Sequence, residues 1–423
     1  MVPLLRAHSL LTRMSAVLVL VALLTGCGSS LKGGPVAHAS SAAEASSCPA
    51  TVLETLGKVL ARVYREGVSS ERTAAAEHLI AASVGLREAI ERDNPAGARI
   101  AAQALLKTGH MTNLRVVHDG RTLVNVGGRA LAPLHGTLLG AAGTPVATYT
   151  TSVWSDSGFL DEARGVAEGL IALRAGERSI DGSFAIAPGS LPNAGTLTRA
   201  NVHYQFTSFP AEEYPSSALR IYVLRAVRST TSLCGQTSED TLVNTLERVA
   251  TLIYAAETGP HRTEQVRRIQ SYRPLLEAVA RHEPVATHAA VAILLHHHVV
   301  RLRVLDAEGQ LLIDDGGPYV LAPVRALLRL NGRRIGSIVL SIQDDEGYLR
   351  LTRRLAGLHV LMYMTSPTGP ELVKNSLGPN PGVVPASGSY RYRGHTFRVF
   401  TVPAEAFPSG PLTIRVLVPI PYS

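Results

Sequence analysis

The stretch GRRIGSIVLSIQDDEGYLRLTRRLAGLHVLMY, residues 332–363, carries three patterns in succession. Residues 335–342 are rich in Ile, Val and Leu and predict a strand. Helical residues follow over 345–355, with Asp345 placed to cap them, and residues 358–364 return to strand. The same order stands earlier in the chain as GTPVATYTTSVWSDSGFLDEARGVAEGLIALR, residues 143–174. There the strand falls at 146–153, the helix at 156–166 and the second strand at 170–173.

Working outward, the repetition extends through most of the chain. The markers Cys48, Leu114-Arg115-Val116, Asp119-Gly120, Gly127-Gly128, Leu131-Ala132-Pro133 and Pro210-Ala211-Glu212 recur in order. Their partners are Cys234, Leu302-Arg303-Val304, Glu308-Gly309, Gly316-Gly317, Leu321-Ala322-Pro323 and Pro403-Ala404-Glu405. The offset drifts only from 186 at the cysteines to 193 at the last marker, so the chain reads as one module written twice, over 48–230 and 231–423. Each copy opens with helical patterns, at 51–63, 69–91 and 94–106 in the first and at 241–256, 261–281 and 285–296 in the second. A hairpin follows, at 113–126 and 301–314, turning through Asp119-Gly120 and Glu308-Gly309. Closing strands are expected at 203–209 and 219–224, and at 396–402 and 412–417. The class this predicts is α+β, with leading helices packed in each copy on a mostly antiparallel sheet of five or six strands.

Ahead of the duplication, Arg6 and Arg13 precede the apolar run 16–24 and then Leu24-Thr25-Gly26-Cys27. Basic region, short apolar core and small residues make residues 1–26 a secretory signal, and the run is too short for an ordinary membrane span. Leu24 to Cys27 resemble the lipobox of bacterial lipoproteins, which implies cleavage before Cys27 and lipidation of its thiol. Residues 27–47, rich in Gly, Ser and Ala, then read as a flexible tether. The expected location is the extracytoplasmic face of the cell membrane, held there by lipid.

The formal charge is +8, and loss of Arg6 and Arg13 with the signal leaves +6. The remaining cations are scattered among acids rather than gathered in runs, so no nucleic-acid partner is expected. With Cys27 lipidated, Cys48 and Cys234 remain as an even pair at equivalent positions in an oxidising compartment. They can bridge if the copies associate about a pseudo-twofold axis through their first helices; two buried free thiols are the alternative.

The leading helices, the hairpin with its polar Gly turn, the Gly-Gly and Leu-Ala-Pro stretches, and residues 332–363 together resemble Cache sensor domains. These are extracytoplasmic PAS-like modules with which bacteria detect small molecules. The resemblance is clearest over 289–363 and implies two single Cache-like units in tandem. Two departures stand out: the chain stops at its last strand with no output domain, and the amino-acid-binding consensus of some double Cache modules is absent. A membrane signalling or transport partner would have to supply the output.

Nothing in the sequence marks an enzyme. Gly-x-Ser-x-Gly and the Gly-x4-Gly-Lys loop are both missing, and His282-Glu283-Pro284 with His288 lacks the His-Glu-x-x-His spacing. No cofactor or metal is expected: His296-His297-His298 reads better as a helix end than as a metal site, since adjacent imidazoles diverge by about 100° on a helix. Ligand preference is expected where the copies diverge, on the third strand and its exit. Copy one places Tyr149, Trp154, Ser155 and Asp156 there, and copy two Ile338, Gln343, Asp344 and Asp345. Tyr149 and Trp154 can form an aromatic wall, with Asp156, Gln343 and Asp344 as polar ligand contacts. The reading is an extracytoplasmic lipoprotein that binds or senses an unknown small molecule. The alternative is a non-catalytic envelope scaffold or interaction protein whose domains have lost ligand binding.

Overall fold

A computed structural model describes residues 48–422, except 109, 183–188, 257–259, 296–298, 318–319, 368 and 408–409. The signal, Cys27, the tether and the His296-His297-His298 cluster lie outside the described residues.

Copy one starts with α1 (Cys48–Arg65), α2 (Glu71–Ala82), α3 (Val84–Glu91) and α4 (Pro95–Leu106). The strands β1 (Asn113–His118), β2 (Arg121–Gly127), β3 (Ala130–Leu131), β4 (Leu134–Leu139), β5 (Pro145–Ser152) and β6 (Trp154–Ser155) follow. Next come α5 (Asp156–Ala167), β7 (Leu170–Ala175), β8 (Arg178–Gly182), β9 (Ala194–Arg199), β10 (Val202–Glu213), β11 (Ser217–Ala226) and the short α6 (Val227–Thr230). Copy two repeats the helices as α7 (Ser238–Ala256), α8 (Pro260–Ser271), α9 (Arg273–Ala280) and α10 (Pro284–Leu295). Its strands are β12 (Arg301–Asp306), β13 (Leu311–Gly316), β14 (Val320–Leu321), β15 (Val324–Leu330), β16 (Arg333–Ser341) and β17 (Gln343–Asp344). It closes with α11 (Asp345–Ala356), β18 (His359–Ser366), β19 (Gly369–Asn375), β20 (Gly388–Tyr392), β21 (His395–Phe407) and β22 (Gly410–Ile420).

The class is α+β with two repeated domains, and every strand pairing among the described residues is antiparallel. The strands of each copy, however, divide between two sheets rather than sharing one of five or six. A four-stranded sheet runs β2-β1-β5-β4, and a seven-stranded sheet runs β6-β3-β10-β11-β7-β8 with β9 beside β10. Copy two repeats both orders, as β13-β12-β16-β15 and β17-β14-β21-β22-β18-β19 with β20 beside β21. The division follows from the exit of the third strand: β5 and β16 end at Ser152 and Ser341, and β6 and β17, just beyond them and ahead of α5 and α11, already belong to the other sheet. Copy one thus holds two sheet layers, the larger against α1 and the four-stranded one under α2 to α4, rather than the single sheet expected.

The long helical patterns break where local chemistry stops them. At Ser83 the backbone turns extended; its N–H closes α2 on Ile80 while its hydroxyl accepts from Leu86 N–H to open α3. In copy two the break comes at Tyr272, two residues ahead of Pro274, which has no N–H to continue α8 and is tolerated in the first turn of α9. Helices α2 to α4 close over the first four-stranded sheet, sharing a core that includes Ile80, Leu86, Ile90, Leu114, Val116 and Leu138.

Helix α1 buries Val52, Leu53, Leu56, Val59, Leu60 and Val63, the residues that set its apolar period. One continuous core joins them to Leu246, Val249 and Ile253 of α7, Phe159 of α5 and Leu355 of α11. The same core takes in Ile171, Leu173, Ile221 and Val223 from one large sheet and Val360, Met362, Ile414 and Val416 from the other. The two large sheets therefore enclose a shared helical layer. Their alternate residues, Ala172, Tyr222 and Leu224 in copy one and Leu361, Tyr363 and Leu417 in copy two, are buried in separate outer clusters. Burial on both faces explains why these strands read as continuous apolar runs.

Cys48 and Cys234 form a disulfide, with Cα atoms 5.5 Å apart at the start of the α1 and α7 region. Equivalent positions meet, as the pseudo-twofold arrangement predicts. Ion pairs between Glu66 and Arg354 and between Glu168 and Arg248 tie the copies further. No described helix is long and apolar enough to cross a membrane.

Candidate functional site

The markers shared by the copies are backbone devices. Gly127 and Gly316 have φ of +104° and +122°, and a Cβ at either would lie 2.3 Å from a backbone carbonyl oxygen. Ser152 and Ser341 are buried and donate their hydroxyls to the carbonyls of Leu131 and Leu321, which pins the strand exit to the Leu-Ala-Pro segment. The Tyr64 hydroxyl accepts from Glu212 N–H at 2.8 Å, and the Tyr254 hydroxyl accepts from Glu405 N–H at 3.1 Å. These tyrosines were not among the sequence markers, although they stand at matching places at the ends of the leading helices.

Divergence begins at the corner where β6 meets α5 and β17 meets α11. Tyr149 is buried in the core of the four-stranded sheet, with its ring lying over Gly136, where a Cβ would come within 2.2 Å. Trp154 lies in a different place, edge-on to Phe159 at 6.3 Å and so close to Gly67 that a Cβ there would meet Cδ1 at 2.2 Å. Tyr149 and Trp154 therefore do not share one wall, because the residues between them cross from one sheet to the next. The Trp154 indole Nε1 is buried without a hydrogen-bond partner.

Asp156, the first residue of α5, is 4% exposed, and neither carboxylate oxygen has a hydrogen-bond partner among the described residues. The helix is capped instead by Ser155, whose hydroxyl accepts from Gly158 N–H at 3.0 Å. Burial pushes the Asp156 carboxyl up to about 6; Arg129 opposes the shift, and Asp181 and Glu213 reinforce it. A buried carboxyl whose pKa is raised by burial, without a hydrogen-bond partner among the described residues, is a candidate ligand contact.

In copy two, Gln343 stands where Trp154 does, 4% exposed and with both amide atoms lacking a hydrogen-bond partner. Asp344 caps α11 by accepting from Gly347 N–H, so the cap is Asp344 and not Asp345 as expected. The reason is a one-residue offset: the backbone at Asp344 is extended, with φ −90° and ψ 166°, as a cap residue needs, whereas Asp345 already belongs to the helix. Asp345 is 5% exposed and faces Lys374 Nζ at 3.2 Å, which also pairs with Glu346 at 3.0 Å. Arg333 and Arg334 are exposed at the start of β16.

One trio of metal-capable side chains is close enough for a single ion among the described residues: His282, Asp306 and Glu308, with ligand atoms within 4.8 Å. Asp306 already caps the hairpin turn by accepting from Glu308 N–H and Gln310 N–H, which accounts for its placement. The polar partners of the Asp156 corner, Arg129, Asp181 and Glu213, were not singled out in the sequence. Their signal lies in strand register, which becomes visible only once β8 is paired.

No protein-family model matches the chain, and no curated protein matches it either. Among solved structures, the periplasmic domain of Vibrio cholerae LuxQ is 10% identical, covering 42% of this chain and 98% of its own, with a TM-score of 0.27. The ligand-binding domain of the Pseudomonas fluorescens chemoreceptor CtaA, in complex with L-isoleucine, is 11% identical over 44% of this chain and 95% of its own, TM-score 0.29. An extracellular ligand binding receptor from Desulfohalobium retbaense is 13% identical over 42% of this chain and 39% of its own, TM-score 0.25.

Proposed function

We propose that the chain is an extracytoplasmic lipoprotein, anchored through Cys27, whose duplicated module binds or senses a small molecule and hands the signal to a membrane partner. The observation that carries the binding reading is the corner at Trp154 and Asp156. Copy one buries an indole N–H and a whole carboxyl group without hydrogen-bond partners among the described residues, and the matching corner of copy two leaves the Gln343 amide and one Asp345 oxygen in the same state. Such groups cost roughly 1–3 kcal/mol each when left unpaired, so their retention fits a ligand that completes them. The Cys48–Cys234 disulfide supports an oxidising compartment.

Thermal-shift screening of the purified protein against metabolite pools tests this, because a ligand that binds only the native state raises its melting temperature. A saturable rise with at least one pool is expected. The scaffold reading draws on a separate observation, the filled cores beneath both four-stranded sheets, and gains if no pool at millimolar concentration shifts the transition. For the anchor, Cys27→Ser is expected to move the protein from the membrane fraction to the soluble fraction on fractionation of cells; retention in the membrane would refute lipidation at this residue.

A further inference from the structure

The two copies solve the same electrostatic problem in opposite ways. Asp156 and Asp345 occupy matching positions, each the first residue of its helix and each nearly fully buried. In copy two the strand register sets Lys374 opposite Met362 on the edge strand β19. In copy one the register sets Asp181 opposite Leu173 on β8. Leu173 and Met362 are themselves equivalent, since they pair with Ile221 and Ile414, and both edge strands carry a bulge at the same step. Asp181 therefore stands in the place of Lys374.

A second difference points the same way. Glu213 pairs with Leu131 and Ser217, while Ala406 pairs with Leu321 and Gly410, so Glu213 takes the place of a buried alanine. Copy two thus holds a carboxylate with an ammonium tethered beside it. Copy one has no lysine there and two further acids around a carboxyl that accepts no hydrogen bond among the described residues, while the Asp345 oxygen of copy two meets its lysine as an ion pair.

The cations nearby each have another partner: Arg129 Nη1 donates to the Ile180 carbonyl at 3.0 Å while acting on Asp156 through space, and Arg178 offsets part of the Glu213 charge at 3.5 Å. Asp181 accepts from Gly182 N–H at 2.6 Å. The acids of this corner do not draw together tightly enough to enclose a single metal ion, since the only described trio that does so lies at His282. An ammonium, which needs one close carboxylate and a negative surround, fits better.

Resting on the small-molecule reading above, we propose that copy one binds the primary ammonium group of its ligand at Asp156, with Asp181 and Glu213 supplying the surrounding negative charge, in the place that Lys374 fills in copy two. In copy two the tethered lysine already supplies the ammonium that a ligand would bring to copy one.

The test uses n-butylamine, whose four carbons and ammonium copy the lysine side chain, with n-butanol and pentanoate as neutral and anionic controls. Thermal shift and calorimetry are read on the whole protein and on Asp156→Asn, Asp181→Lys and Lys374→Asp, each first shown to unfold cooperatively. n-Butylamine, and neither control, is expected to raise the melting temperature saturably. Asp156→Asn should weaken amine binding about 10-fold or more. Asp181→Lys should abolish the response and, by supplying its own ammonium, raise the melting temperature without ligand by about 2 °C. Lys374→Asp should gain a second amine response.

An amine effect no larger than that of butanol, or one equal in Asp156→Asn and Asp181→Lys, would overturn the proposal. A metabolite pool that stabilises all variants alike would overturn this site while leaving the binding reading intact. Silence from every pool and from the amine would overturn both.

Discussion

Asp156 sits where burial and charge conflict. A carboxyl whose titration is raised from an ordinary 3.8 to about 6 binds more protons in the folded than in the unfolded chain across that interval. Its contribution to stability is therefore fully present below about pH 4 and is lost as pH rises through 6. Asp156→Asn should remove this slope, so that the variant gains about 2 kcal/mol on the parent between pH 4 and pH 7.5, measured by chemical denaturation at each pH. A difference between the two proteins that does not change with pH would contradict the assignment. At this scale the sequence named Asp156, Trp154, Gln343 and Asp344 by comparing the copies. It could not name Asp181 or Lys374, because the edge strands β8 and β19 are short, carry no clear alternation and stand at different spacings in the two copies.

Among elements, the Gly-Gly markers separate into one glycine that the fold requires and one that it does not. Gly127→Ala places a Cβ against the Thr112 carbonyl at a positive φ and should cost about 2–3 kcal/mol, and Gly316→Ala the same. Gly128→Ala meets nothing within 4 Å and should stay within about 0.5 kcal/mol of the parent. Equal effects at 127 and 128, by denaturant midpoint, would refute this account of the motif. The strand–helix–strand unit at 332–363 was legible because each part keeps its own period, and the observed β16, α11 and β18 fall close to the expected limits. Strands β4 and β15 were not legible. Gly136 interrupts the first, where the ring of Tyr149 needs the space, and β15 carries Arg325 and Arg329 with only Leu328 fully buried. Without those strands the four-stranded sheets could not be told from the larger ones.

For the whole molecule, duplication has produced an intramolecular pair in which α1 and α7 share one core and the first cysteines of the copies are joined. The bridge spans 186 residues, so replacing both Cys48 and Cys234 by Ser should lower stability by about 2–5 kcal/mol while the shared core keeps the copies together. An unchanged denaturant midpoint would show that the bridge adds nothing. The duplication, the α+β class and the pairing of equivalent cysteines were all readable from the markers, whereas the split of each copy into two sheets depended on where β5 and β16 end. What distinguishes the copies is charge at one buried corner: Asp345 has Lys374 within 3.2 Å, whereas Asp156 has no ion pair among the described residues and feels Arg129 only through space, against Asp181 and Glu213. The most direct test is carboxyl carbon NMR of aspartate-labelled protein titrated with acid, with Asp156→Asn to assign the signal. The account predicts a resonance, missing in the variant, with a midpoint near 6 that falls when n-butylamine is added. A signal lost in the variant but titrating below about 5, or unmoved by the amine, would contradict it.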